Sequence, residues 1–425
     1  MKKILFNLLL IMILAGCSGD GIFYALENEE RIVDANNMGD HTPLDNMFIY
    51  SDGSSKYYVA NGTRVWYSLV GADTNSWNTF PVPSAYSKYP TFPSIAQLDG
   101  ELYATIISHE ANYRSGLLKL DRATKEWVEI LYDVKNDSSL SDYTYSNMYL
   151  FDTKQGLYIN KVYYYKDSSE VSIKNSRLYF YATADEGTLA GADELTASHE
   201  LIAGIDFPGF NIPAISAESD PQRIVDIVSG NGLESYMIYN IDGSANKNGV
   251  LAYSASNPSS FFTTPENTGT DKYDFISIYY SSVQDMVFMG TEGSSDTHPL
   301  FYKQTGADWK SKAFNNDYEF AAFCDIDSIQ SKTILAGTRA FKDPSNSSSN
   351  LGDGYIEIDV TNPEDPSLQS NTFSEDNNYS SSDLEDATIN NFFYDSDNDR
   401  LYAATRNYGL WLNTKEGNDR EWSQE

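Results

Sequence analysis

The sequence predicts an all-β fold, a β-propeller of seven four-stranded antiparallel blades, and three observations lead there. An apolar strand rich in small residues recurs seven times along the 425 residues. Each copy follows another apolar strand across a short polar turn, and each precedes a hairpin whose turn is rich in Gly, Asp and Asn. Composition agrees, because 32 Tyr and 21 Phe favour strands and no long stretch carries a helical or heptad period.

The recurring strand reads Lys56–Ala60, Glu101–Thr105, Gly156–Asn160, Ser235–Tyr239, Asp285–Gly290, Lys332–Gly337 and Arg400–Ala404. Its predecessors are Met47–Tyr50, Ser94–Gln97, Asn147–Phe151, Arg223–Val228, Ile276–Tyr280, Phe320–Cys324 and Asn391–Tyr394. The hairpins that follow are Val65–Phe80, Leu117–Ile130, Leu178–Ile202, Val250–Thr263, Leu300–Phe314, Tyr355–Phe373 and Leu410–Trp422. Four strands in fixed order, repeated, are the signature of propeller blades. The repeats are wider than the roughly 40 to 50 residues of compact blades, so several connections must be enlarged. Eight blades is the alternative count.

The extra residues fall on one side. Turns between first and second strands are short, whereas the long pieces lie between second and third strands (Tyr164–Asn175, Ala340–Gly354) and between blades (Tyr132–Ser146, Ala203–Pro221, Pro265–Tyr273, Ser374–Ala387). In a propeller those two kinds of connection emerge on one face, and loops on a rigid scaffold are where binding resides. Within the largest addition, Ile205–Pro213 is unusually apolar; it either covers one end of the central channel or offers Phe207 and Phe210 to a partner.

Ahead of the repeats, Lys2 and Lys3 precede an apolar stretch, Ile4–Leu14, that is too short to span a membrane and reads as a secretory leader. Leu14-Ala15-Gly16-Cys17 follows. These residues resemble a bacterial lipobox, and the resemblance implies cleavage before Cys17, lipidation of its thiol and anchoring through several acyl chains. By the sorting rule of that family, Ser18 in place of Asp favours the outer membrane. The expected domains are a lipoprotein signal peptide (1–16), a lipidated N-terminus and tether (17–43) and the propeller (44–425). Residues 22–33 read as an orphan hairpin, part of which pairs in the last blade and helps close the ring; the competing reading makes residues 18–43 a loose stalk.

Some hairpins resemble known propeller repeats. Tyr67–Trp77 and Tyr302–Trp309 are similar to degenerate Asp-box hairpins, Leu401–Trp411 to sensor-type repeats, and Gly116–Trp127 to pyrroloquinoline-quinone-type repeats such as those of an outer-membrane assembly lipoprotein. The likeness bears on fold and barely on function.

Catalytic chemistry is sparse. His41, His109, His199 and His298 lie in separate segments without metal-ligand spacing, and no phosphate-binding glycine loop or G-x-S-x-G elbow occurs. The Asp-box resemblance raises a sialidase-like hydrolase, for which Arg64, Arg114, Arg223, Arg339 and Arg406 are the candidate cations. Asp395–Asp399 lacks the later Gly and Glu of a calcium loop and reads as a capped turn. Cys324 reads as a small buried residue. A formal net charge of −32 disfavours nucleic acid. The expectation is therefore a lipid-anchored, non-catalytic envelope protein without cofactor or metal, binding a protein or glycan; a surface glycan hydrolase or an envelope assembly factor is the alternative.

Overall fold

A computed structural model describes residue 38 and residues 42–425, apart from 109–113, 135–144, 155, 168–169, 183–199, 204–221, 232–233, 242–248, 255–261, 264–272, 294–297, 315–317, 340, 343–349, 352–353, 369–383, 385–386, 407 and 417–418. Seven antiparallel four-stranded sheets follow one another along the chain, each paired in simple sequential order, and together they form a seven-bladed β-propeller. Blade one runs from Leu44 to Thr79, blade two from Pro90 to Val134, blade three from Tyr145 to Ala203 and blade four from Gln222 to Thr263. Blades five, six and seven are Tyr273–Lys312, Phe320–Leu368 and Ile389–Gln424. Eight blades are excluded. The described helical content is one turn of 3₁₀ helix, Ser84–Tyr86, and no described helix is long and apolar enough to cross a membrane.

All seven expected first strands lie within observed ones, as do the second strands apart from Asp285 and Lys332, each one residue ahead of its strand; the observed strands are mostly longer. One expectation about connections is corrected. Tyr164–Asn175, expected as an enlarged loop, continues a long hairpin in which Gly156–Asp167 pairs with Glu170–Ala182; its β-branched and aromatic residues extend the ladder instead of leaving it. The described fourth strand of blade six is Ser367–Leu368, and the end of the expected Tyr355–Phe373 hairpin lies outside the described residues. Within Ala340–Gly354 a small ladder pairs Phe341–Lys342 with Asn350–Leu351.

The small residues of the second strands have a steric cause. Blades converge toward the axis, and a Cβ on Gly290 would lie 1.7 Å from the Phe320 carbonyl oxygen of the next blade. A Cβ on Gly337 would meet Ile389 Cβ at 2.6 Å. Further out the gap between sheets is filled by aromatics. Tyr86, Phe92 and Trp127 pack against Phe80 and Val65 between blades two and one, and Trp309, Phe301 and Phe275 of blade five pack against Tyr236 of blade four. Each such buried side chain contributes about 1.5–3 kcal/mol.

The ring closes between blades seven and one through a shared core of Tyr402, Leu410 and Leu412 against Tyr58, Trp66 and Trp77, with Met38 packed into it. Hydrogen bonds cross the same seam. Tyr58 donates to Asp395 Oδ2 at 2.5 Å, Asn390 Nδ2 to the Leu44 carbonyl at 2.8 Å and Arg400 to the Ala72 carbonyl at 2.9 Å. Blade seven draws four strands from residues 389–424; residues 22–33, expected to add a strand there, lie outside the described residues.

Candidate functional site

The innermost strand of each blade is a sheet edge, so its unpaired amides and carbonyls face the axis of the ring and need partners. In six of the seven blades this strand is irregular at an equivalent place, between Leu44 and Asn46, Thr91 and Ser94, Ile224 and Asp226, Phe275 and Ser277, Phe320 and Ala322, and Ile389 and Asn391. The innermost strand of blade three pairs without a break from Tyr145 to Thr153. A bulge re-aims the side chains around it, and here it turns polar groups onto the axis.

The channel so formed holds two adjoining cavities, of about 380 and 760 Å³, which share Asn46 and Asp152 in their linings. Asp226, Ser277, Asn390 and Asn391 are among the polar residues that line the first, and Gln97 and Asp99 line the second. Neither lining contains Lys, Arg or His. Asp152 is exposed to the channel and Asp226 is partly exposed, yet the ring of protein around them displaces part of their surrounding water. That loss of solvent pushes Asp152 up to about 6 and Asp226 up to about 7, and the charge of Asp152 adds to the rise at Asp226. Opposing it, Asp226 Oδ1 accepts from the Ile227 N–H at 2.7 Å, and the backbone amides near each group favour its ionised form. The Asp226 carboxyl thus occupies an amide of its own strand.

Sequence reasoning did not single out this pair. Asp152 directly follows the expected strand Asn147–Phe151, and Asp226 lies inside the expected strand Arg223–Val228. The available signal was a carboxylate at the centre of the apolar run Ile224-Val225-Asp226-Ile227-Val228.

Among the described residues, those singled out do not line the channel cavities. Cys17, Phe207, Phe210, His41, His109 and His199 lie outside the described residues. His298 has a buried side chain with Nε2 3.8 Å from Glu319. Arg114 in blade two pairs with Glu129 at 2.7 Å and lies between the rings of Tyr86 and Tyr132, while Arg339 pairs with Glu292 at 2.6 Å. Asp395 caps its turn as expected, accepting from the Asp397 and Asn398 amides. Burial pushes the Cys324 thiol up to about 12, in keeping with a packing role. Among the described residues no group of three or more His, Cys, Asp or Glu is placed to hold a metal ion.

No family model matches the chain, and no curated protein matches it in sequence. Among solved structures it is similar to YCF48 from Cyanidioschyzon merolae, with a TM-score of 0.50 and 10% identity over 88% of this chain and 95% of that one. A chain of the "Crystal Structure of Mitotic Checkpoint Complex" aligns with a TM-score of 0.49 and 12% identity, over 90% of this chain and 94% of that one. Likeness at such identity shows the fold alone, a β-propeller.

Proposed function

We propose that this protein is a lipid-anchored, non-catalytic binding or scaffold protein of the bacterial cell envelope, which presents the loop-rich face of its propeller to a protein or glycan. The one-sided placement of the long connections carries this reading: Tyr132–Ser146, Ala203–Pro221, Ala340–Gly354 and Ser374–Ala387 all belong to the classes that emerge on one face of a seven-bladed ring. Support for the address comes from the lipobox-like Leu14-Ala15-Gly16-Cys17, with Cys17 as the lipidated residue and the outer membrane as the favoured site. The anchor would hold the ring at a surface while its loops engage the partner.

Partner capture tests the reading. The full-length protein and variants lacking Ser345–Leu351, or carrying Phe207→Ser with Phe210→Ser, are used as bait in solubilised envelopes. Variants that fold but lose capture support a binding face on these loops, and capture unchanged by either alteration counts against it. A sialidase-like hydrolase is the competing reading, and turnover of a sialoside or polysaccharide panel by the purified protein would favour it.

A further inference from the structure

Tyr89 and Tyr132 are the aromatic side chains that stand furthest into solvent among the described residues, 79% and 61% exposed. Both lie toward one end of blade two. Strand register carries Pro90 to Ser108, Ser108 to Arg114 and Arg114 to Val134, so Tyr89 enters the innermost strand and Tyr132 nears the end of the outermost strand at the same edge of the blade. That edge is opposite the Asp99–Gly100 turn and belongs to the loop-rich face. Three strand spacings put Pro90 and Val134 about 14 Å apart.

Each ring is fixed by its surroundings. The Arg114 guanidinium lies 4.4 Å from the ring centre of Tyr132 and 5.1 Å from that of Tyr86. Arg114 Nη2 donates to both carboxylate oxygens of Glu129, at 2.7 and 2.8 Å, and the Tyr86 hydroxyl donates to Glu129 Oε2 at 2.6 Å. Tyr86 is wholly buried and closes over Gly116, where a Cβ would lie 2.1 Å from its hydroxyl. Tyr132 therefore rests on a rigid base. Tyr89 has a φ of +48°, a left-handed backbone that costs any residue but glycine energy, and the Ser108 hydroxyl, donating to the Lys88 carbonyl at 2.9 Å, helps hold it there.

We infer that Tyr89 and Tyr132 form a platform for a neutral oligosaccharide, an inference that rests on the binding-face reading and names its ligand. The face of an aromatic ring is negative and attracts the C–H side of a pyranose, whereas the hydroxyls at the sugar's rim need polar groups beside the ring. Both surfaces are present. Ser84, Ser87 and Lys88 are exposed next to Tyr89, and the Arg114–Glu129 pair lies beside Tyr132. Rings set apart on polar ground suit a chain of sugars better than the apolar side chains of a peptide, which favour a concave pocket. The spacing exceeds one sugar ring, so the ligand is an oligosaccharide. It is neutral because Glu129 already matches Arg114, and a net charge of −32 repels an anionic polymer.

Calorimetric titration of the full-length protein with cellohexaose, maltohexaose, xylohexaose and mannohexaose tests the platform, with hexagalacturonate as the anionic counterpart. At least one neutral hexasaccharide should bind and be recovered intact. Tyr132→Ala and Tyr89→Ala should each weaken it about ten-fold, and Tyr132→Phe, which keeps the ring, by less than about two-fold. Tyr89→Gly removes the ring and the backbone strain together, so it should bind about ten-fold more weakly without lowering the melting temperature. Val283→Ala, at an exposed site on blade five, should leave binding unchanged. Failure of every neutral hexasaccharide to bind overturns the inference, as does binding that survives both tyrosine-to-alanine substitutions or is confined to hexagalacturonate. Capture of an envelope protein by a chain that binds none of these sugars would keep the binding-face reading and overturn this one. Tyrosine-dependent sugar binding without protein capture supports it and removes the protein alternative.

Discussion

The indole N–H of Trp77, in blade one, donates to Oε2 of Glu425 at 2.9 Å, joining positions 348 residues apart. The same oxygen accepts the Asn75 amide at 2.8 Å, and Glu425 is 3% exposed. One carboxylate thus satisfies two donors of the blade-one turn and binds the last blade to the first. Glu425→Ala should cost about 1–3 kcal/mol, because it leaves the buried indole N–H without an acceptor. Glu425→Gln, which keeps an acceptor, should cost less. Urea unfolding of both variants measures the difference, and equal losses would show that the carboxylate serves only as packing.

Gly290 and Gly53 make a matched pair for testing convergence of the blades. A Cβ on Gly290 would lie 1.7 Å from the Phe320 carbonyl and 2.7 Å from Ser277 Oγ, so Gly290→Ala should cost about 3 kcal/mol or prevent folding. At Gly53 there is open space but a φ of +87°, and Ala there should cost about 1 kcal/mol from backbone strain alone. Thermal melts of the two variants should separate clearly.

Cys324 is buried on the first strand of blade six and its thiol is pushed up to about 12, so little thiolate exists at neutral pH. A disulfide reagent should modify the native protein at the rate of global unfolding, with full reaction only in denaturant. Rapid modification of the native state would place the thiol on an accessible surface.

Cys17→Ser should abolish incorporation of labelled palmitate while the propeller still folds, since Cys17 precedes every repeat. Undiminished label in the variant would end the lipoprotein assignment.

Blade order was legible because it rests on local chemistry. Tyr103-Ala104, Phe288-Met289-Gly290 and Leu401-Tyr402-Ala403-Ala404 each announce a buried strand that narrows where blades crowd together, and the Gly and Asp turns mark its ends. The channel was less legible. Which residues of an innermost strand reach the axis depends on a bulge, and a bulge such as that beside Asp226 shows only when the strand is laid against its partner. The Tyr-rich run after Lys161 was misread as loop because its extra length looked like insertion, when it lengthens a hairpin.

Each described blade takes its strands from a single unbroken stretch of chain, in the order in which they pair, and the seam from blade seven to blade one is made by side chains and packing. The architecture is thus indifferent to where along the ring the polypeptide is opened. A circularly permuted gene that joins Glu425 to residue 38 through a short linker, and starts at the connection before Pro90, would ask no strand to find a new neighbour. Blade one would become the final blade, and the contacts of Trp77 and Tyr58 with blade seven would become links between consecutive modules.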